Sequence, residues 1–174
     1  MLIKAAVVHE KNQEFVIEDV ELQEPKANEV LVKIVASGIC HSDEVARKQI
    51  LPIPLPAVFG HEGSGIVEKV GSGVQSVQPG DHVILSYASC GHCAHCLQGL
   101  PAYCFNLREL NFGGKAYDGT HRLYLGEKEV SNFMGQGSFA TYAIAHERSV
   151  VKIDKDVDLA LMGPLGCGLS TGSG

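Results

Sequence analysis

Val- and Ile-rich runs, separated by short polar or Gly/Pro-containing breaks, recur along the first part of the chain. Residues 3–8 and 14–22 carry this pattern, and Pro25–Asn28 separates them from a third run at 30–39. β-Branched runs bounded by turn residues predict strands. Residues 41–49, HSDEVARKQ, are polar, offer Ser42 or Asp43 as a helix cap, and have length for a short helix only. Pro52, Pro54 and Pro56 then exclude regular helix, because each lacks an N–H and crowds the preceding turn. Residues 61–71 and 81–87 read as two more strands, with glycines marking turns or bulges. Weak periodicity over 88–135 leaves a cysteine-rich lobe and a long Gly/Asn-rich loop. Residues 139–147 and 149–153 return to strand pattern, and 156–163 predict one or two helical turns. The sum is a mainly β fold with few, short helices.

A chain of 174 residues suits one domain, or one domain and a fragment. Its 45% hydrophobic and 20% charged content fits a globular protein that buries a core. A net charge of −6 argues against nucleic acid or an anionic membrane surface as partners. No apolar stretch approaches a membrane-spanning length. The N-terminal segment places Lys4 inside a short apolar run and has no cleavage pattern, so it predicts a first strand and not a signal peptide.

The six cysteines change this picture. Cys90, Cys93, Cys96 and Cys104 give C-x2-C-x2-C-x7-C. Cysteines so close together pair poorly with one another, and clustering of this kind indicates metal binding in a reducing, cytoplasmic compartment. Four thiolates close a tetrahedral shell around zinc, while backbone N–H groups of the loop spread the sulfur charge. A ferredoxin-type iron–sulfur run ends C-x3-C-P, which this chain does not match. His92 and His95 lie between the cysteines and read as loop histidines, since the four thiolates already fill the shell. A second, scattered set comprises Cys40, His61 followed by Glu62, and Cys167. Taken singly, each cysteine reads as a small buried hydrophobe and the histidine as a satisfied side chain. Two thiolates and one imidazole would leave a fourth zinc position open for water or substrate.

Local context joins the scattered set. GICHSDE, FGHEGSGIVEKVG, PGDHVI, the cysteine lobe and GCGLSTG occur in this order. Together they resemble the zinc-dependent alcohol dehydrogenases of the medium-chain dehydrogenase/reductase family, over nearly the whole chain. Residues 139–153 and 161–172 look most like the aryl- and benzyl-alcohol members. The resemblance implies a GroES-like, partly open β-barrel over residues 1–162, with a zinc lobe at about 88–110. Residues 163–174 would begin the crossing into a Rossmann cofactor domain absent from this chain. It implies two zinc ions, a catalytic one on Cys40, His61 and Cys167 and a structural one on Cys90, Cys93, Cys96 and Cys104. Glu62 would sit behind the catalytic metal and bind it during exchange. Asp43 would accept a hydrogen bond from His61 and fix its tautomer. The implied activity is NAD- or NADP-dependent oxidation of primary, aryl or benzyl alcohols to aldehydes, by hydride transfer from a zinc-bound alkoxide. The product-side partner would be the aldehyde, and the full-length protein a homo-oligomer.

Ser42 would start the proton relay. Many members end it at a histidine three residues on, where this chain has Val45, so water or His41 takes the proton. His41 would also contact the cofactor pyrophosphate, and Thr171 would lie against the nicotinamide. Ser86 and Tyr87 stand where members line the substrate channel, and a small Ser86 leaves room for an aromatic ring. The glycine-rich end, GPLGCGLSTGSG, is no dinucleotide fingerprint, because no strand precedes it and no acidic residue follows. As given, the chain is expected to lack most of the cofactor site and to be inactive alone. Two other readings stand beside this one. A zinc-stapled, non-enzymatic β module needs only the closed site. A formaldehyde–glutathione or polyol branch is less favoured, because Cys167 stands where polyol enzymes often have glutamate.

Overall fold

The computed structural model describes residues 1–174. Strand β1 (Leu2–Val8) pairs antiparallel with β2 (Val16–Leu22), in a register running from Leu2 opposite Glu21 to Val7 opposite Val16. After β3 (Glu29–Gly38) come helix α1 (His41–Arg47), the short β4 (Ala57–Val58), β5 (Glu62–Val70) and β6 (His82–Leu85). The cysteine lobe contributes α2 (Ala94–Leu97), a 3-10 turn at Pro101–Tyr103 and α3 (Leu107–Phe112). A hairpin of β7 (Leu123–Leu125) and β8 (Lys128–Asn132) follows, then a 3-10 turn at Phe133–Gly135. The chain continues through β9 (Tyr142–His146), β10 (Val150–Ile153), α4 (Leu159–Met162), a 3-10 turn at Gly163–Gly166 and α5 (Gly168–Ser173).

Five strands, β1-β2-β7-β8-β4, close into a barrel, and five more form an open sheet in the order β10-β6-β5-β3-β9. This is the mainly β, GroES-like architecture expected, with one sheet closed and the other keeping two edges. Alternation sets the register. Ile3, Ala5 and Val7 point into the barrel with Val20, Leu22, Leu123 and Val130, while Leu2 is exposed. The interior strand β3 buries both faces over its first half: Leu31 joins the barrel core, and Val30 and Val32 pack with Val67, Val83 and Leu85. That double burial matches the apolar run 30–32, which ends at the exposed Lys33, and each fully buried Val or Leu contributes about 1.5–3 kcal/mol. A third cluster, Val8, Ala46, Ile53, Ala57, Phe59 and Phe133, lies beneath α1 and fixes that helix on the barrel. No helix is long and apolar enough to cross a membrane.

The details depart from the sequence reading in two places. Helix α1 begins one residue before Ser42, with Cys40 at its N-cap, and Asp43 reaches back from the first turn to accept the Cys40 N–H at 3.0 Å. The stretch 88–135 is more ordered than its weak periodicity suggests, holding α3 and the β7–β8 hairpin around Gly126, whose φ is 61°. Residues 156–163 hold the expected helical turn, α4, which Asp158 caps by accepting the Ala160 N–H at 2.9 Å.

Candidate metal centres

The lobe between β6 and α3 folds around its cysteines. One donor atom from each of Cys90, Cys93, Cys96 and Cys104 lies within 4.8 Å of the others. The Cys90 and Cys96 sulfurs are 3.9 Å apart, and those of Cys93 and Cys104 are 4.0 Å apart. The backbone of Cys90 donates to Cys104 Sγ at 3.3 Å, and that of Cys93 to Cys90 Sγ at 3.4 Å. The lobe is anchored from below. Buried Asn111 exchanges two hydrogen bonds with Ala88 at 2.8 and 2.9 Å, and the Tyr117 hydroxyl bonds both backbone groups of Ser89 at 3.0 Å. Packed thiols disagree over charge. Burial raises the Cys90 thiol, yet N–H donors of His92 and Cys93 outweigh it and bring it down to about 6. Burial and the neighbouring thiols push Cys96 up to about 11. A dication relieves this mutual repulsion, so the donor set fits zinc. His92 and His95 stay outside the cluster: their Nδ1 atoms face the carbonyl oxygens of Cys90 and Tyr103.

The scattered residues also converge. Cys40 at the end of β3, His61 and Glu62 at the start of β5, and Cys167 before α5 bring one donor atom each within 4.8 Å of one another. Close backbone approach makes this possible. A Cβ on Gly163 would run into the Glu62 carbonyl oxygen, and one on Gly166 into that of Leu85. The Gly168 N–H then donates to Glu62 Oε1 at 3.0 Å, tying the terminal segment to β5.

Asp43 organises the site. Its carboxylate is 1% exposed and accepts from Cys40 N at 3.0 Å, Gly60 N at 3.0 Å and His61 Nδ1 at 3.1 Å. With Nδ1–H donated to Asp43, the ring presents its other nitrogen as a lone pair. That atom, His61 Nε2, is buried and has no hydrogen-bond partner. An orphaned buried nitrogen aimed into two thiols and a carboxylate fits a metal ligand. Burial disfavours charge on His61, yet the Asp43 carboxylate and the Cys40 sulfur raise its pKa overall. Burial also raises Cys40, but Ser42 donors and His61 outweigh it and lower the thiol. Cys167 is pushed up to about 11 by burial, then by Cys40 and Glu62.

Ser42 Oγ stands 3.7 Å from Cys40 Sγ. His41 and Thr171 are exposed, and the Thr171 N–H donates to the Cys167 carbonyl at 2.8 Å. Ser86 and Tyr87 are partly buried, and Tyr87 lines an apolar cavity of about 220 Å³ with Ala102, Leu107, Phe112 and Met134. Two residues at the site were not foreseen. The Phe133 ring meets the His61 ring edge-to-face at 5.3 Å, and Gln136 Nε2 donates to the His61 carbonyl at 2.9 Å. Both sit in a glycine-rich stretch whose sequence gives no sign of these contacts.

The family model for the alcohol dehydrogenase GroES-like domain matches residues 26–155. The chain therefore belongs to the alcohol dehydrogenase GroES-like domain family. It is 47% identical to a geraniol dehydrogenase of Castellaniella defragrans over 173 residues, covering 98% of this chain and 46% of that protein. It superposes on a benzyl alcohol dehydrogenase from Acinetobacter calcoaceticus with a TM-score of 0.94 and 48% identity, covering 99% of this chain and 47% of that one. An alcohol dehydrogenase zinc-binding domain protein from Burkholderia ambifaria gives a TM-score of 0.96 at 46% identity, with 99% and 47% coverage. The chain spans about half the length of these relatives.

Proposed function

We propose that this chain is the catalytic part of a zinc- and NAD(P)-dependent alcohol dehydrogenase acting on primary alcohols. The observation that carries the reading is the buried, unpartnered His61 Nε2 gathered with Cys40, Glu62 and Cys167. Two thiolates and one imidazole are the ligand set known for the catalytic zinc of alcohol dehydrogenases, with one position left open. Cys40, His61 and Cys167 would hold this zinc, and Cys90, Cys93, Cys96 and Cys104 a second, structural one. When bound, the first zinc supplies Lewis acidity that makes an alcohol hydroxyl acidic near neutral pH. The nicotinamide cofactor supplies hydride acceptance.

The chain's own residues orient and move protons. Asp43 keeps the His61 proton on Nδ1, so Nε2 stays free to ligate. Ser42 Oγ takes the substrate hydroxyl proton. Val45 offers no acceptor beyond it, so the proton passes to the exposed His41 ring or to solvent. Glu62 would offer its carboxylate to the metal, and Thr171 would lie against the nicotinamide. Residues 1–162 would form the catalytic domain, and 163–174 would begin the crossing to a cofactor-binding part. Its six cysteines are all free, which suits a cytoplasmic protein, and the whole protein would be a homo-oligomer.

Benzyl alcohol and geraniol, the substrates in two relatives' names, both carry a CH2OH group on an sp2 carbon. Primary alcohols with an aromatic or unsaturated neighbour are the substrate class proposed here. The test is cofactor reduction by the protein that carries this chain, with benzyl alcohol, geraniol and a saturated primary alcohol compared. The reading requires preference for the first two and loss of turnover in Cys40→Ser and Cys167→Ser. Turnover that survives either substitution would overturn it.

A further inference from the structure

Beyond α1 and its Asp43, a second device grips His61. The turn after β8 is sharply wound: φ is 50° at Met134, 70° at Gly135 and 64° at Gly137. A left-handed conformation at a non-glycine residue persists only where its surroundings hold it, and such outliers collect at functional sites. This winding delivers two side chains to one place. Phe133 meets the His61 ring, and Gln136, 2% exposed, turns inward. The Gln136 carboxamide donates from Nε2 to the His61 carbonyl at 2.9 Å and to the Ser86 carbonyl at 3.4 Å, and accepts the Gly63 N–H at Oε1 at 3.3 Å. Ser86 Oγ in turn donates to the Gly166 carbonyl at 3.5 Å, next to Cys167. One amide group thus links the backbone on both sides of Glu62 to the loop that touches the Cys167 segment. No other uncharged side chain offers two donors and an acceptor at this length.

We infer that Gln136 is a positioning residue of the open centre: it fixes the His61 main chain relative to the Cys167 segment without ligating. Asp43 sets the ring's tautomer, and Gln136 sets where the ring's backbone stands. The inference rests on reading Cys40, His61 and Cys167 as a zinc site. Its test uses cobalt(II) in place of zinc, whose visible bands distinguish an all-thiolate shell from a mixed thiolate–imidazole shell. Gln136→Met keeps the length and removes every polar atom. It should weaken cobalt at the mixed shell by about 10- to 100-fold, the usual effect of losing a residue that supports a ligand, and leave the all-thiolate bands unchanged. Gln136→Glu, which keeps the acceptor for Gly63 N–H and loses the donors, should do the same if Gln136→Met folds poorly. Ser138→Ala is the control. Ser138 is 1% exposed and bonded to Ser37 at 2.7 Å in the same loop, and its Oγ makes no hydrogen bond to His61. Wild-type affinity in both Gln136 variants, or an equal loss in Ser138→Ala, overturns the inference. A wild-type chain that never shows the mixed shell overturns the zinc reading, and the inference with it.

Discussion

Replacing Asp43 by Asn changes charge while keeping shape, and the structure lets its cost be worked through. Oδ1 accepts from Gly60 N and His61 Nδ1, and Oδ2 accepts from Cys40 N. An amide has one acceptor. In its better orientation it keeps the two Oδ1 bonds and turns an N–H toward the Cys40 N–H. One charge-assisted bond, about 1.5–3 kcal/mol, is then lost outright. The two that remain fall to about half their strength, which adds roughly 1.5–3 kcal/mol. Native stability of the metal-free chain should drop by about 3–6 kcal/mol, a large share of the roughly 5–15 kcal/mol typical of a domain. Zinc at the open centre should bind about 10- to 100-fold more weakly, since His61 loses its carboxylate partner. Urea unfolding of the metal-free chain measures the first effect, and competition with a chromophoric chelator the second. A stability loss under about 1 kcal/mol with zinc affinity within twofold of wild type would refute the role given to Asp43.

Cys104→Ser removes the buried thiol that accepts the Cys90 N–H. Zinc per chain should fall by one, and limited proteolysis should cut within 88–110 while the far-ultraviolet β signal persists. Gly166→Ala drives a methyl into the Leu85 carbonyl. It should displace Cys167 at a cost of about 1–3 kcal/mol and empty the open centre, leaving the closed one loaded, as metal analysis would show. Burial raises the Asp118 carboxyl, but Lys26, Thr120 and Arg122 outweigh it and hold it well below its ordinary 3.8. A depressed carboxyl stabilises the fold above its unfolded pKa and loses that contribution as pH falls through its folded value. The stability gap between wild type and Asp118→Asn should therefore be constant above about pH 5 and close on acidification below it, measured by urea unfolding.

Much of this was legible in the chain because the physics is local. β-Branched runs gave the long strands, but the burial of β3 on both faces at Val30–Val32 became visible only in the fold. The β7–β8 hairpin escaped because β7 is only three residues long, although Gly126 and Glu127 between LYL and KEV form a recognisable turn signal. Cys40 was passed over as a cap because cysteine is not a usual one, and Asp43 does the capping from within the helix. The cysteine lobe was legible from spacing alone. The second cluster was not, since Cys40 and Cys167 are brought together only by the crossing of β3, β5 and the terminal turns. Gln136 had no signal at all: its partners are 73, 75 and 50 positions away, and the bonds it makes go to the backbone.

The central claim is one chain with two unlike zinc centres. The direct test is zinc and iron per chain by inductively coupled plasma mass spectrometry, on protein purified without chelator, wild type beside Cys40→Ser. The account predicts two zinc ions in the wild type, one in the variant, and no iron. One zinc in both proteins would contradict the open centre, and iron in place of zinc would contradict the closed one.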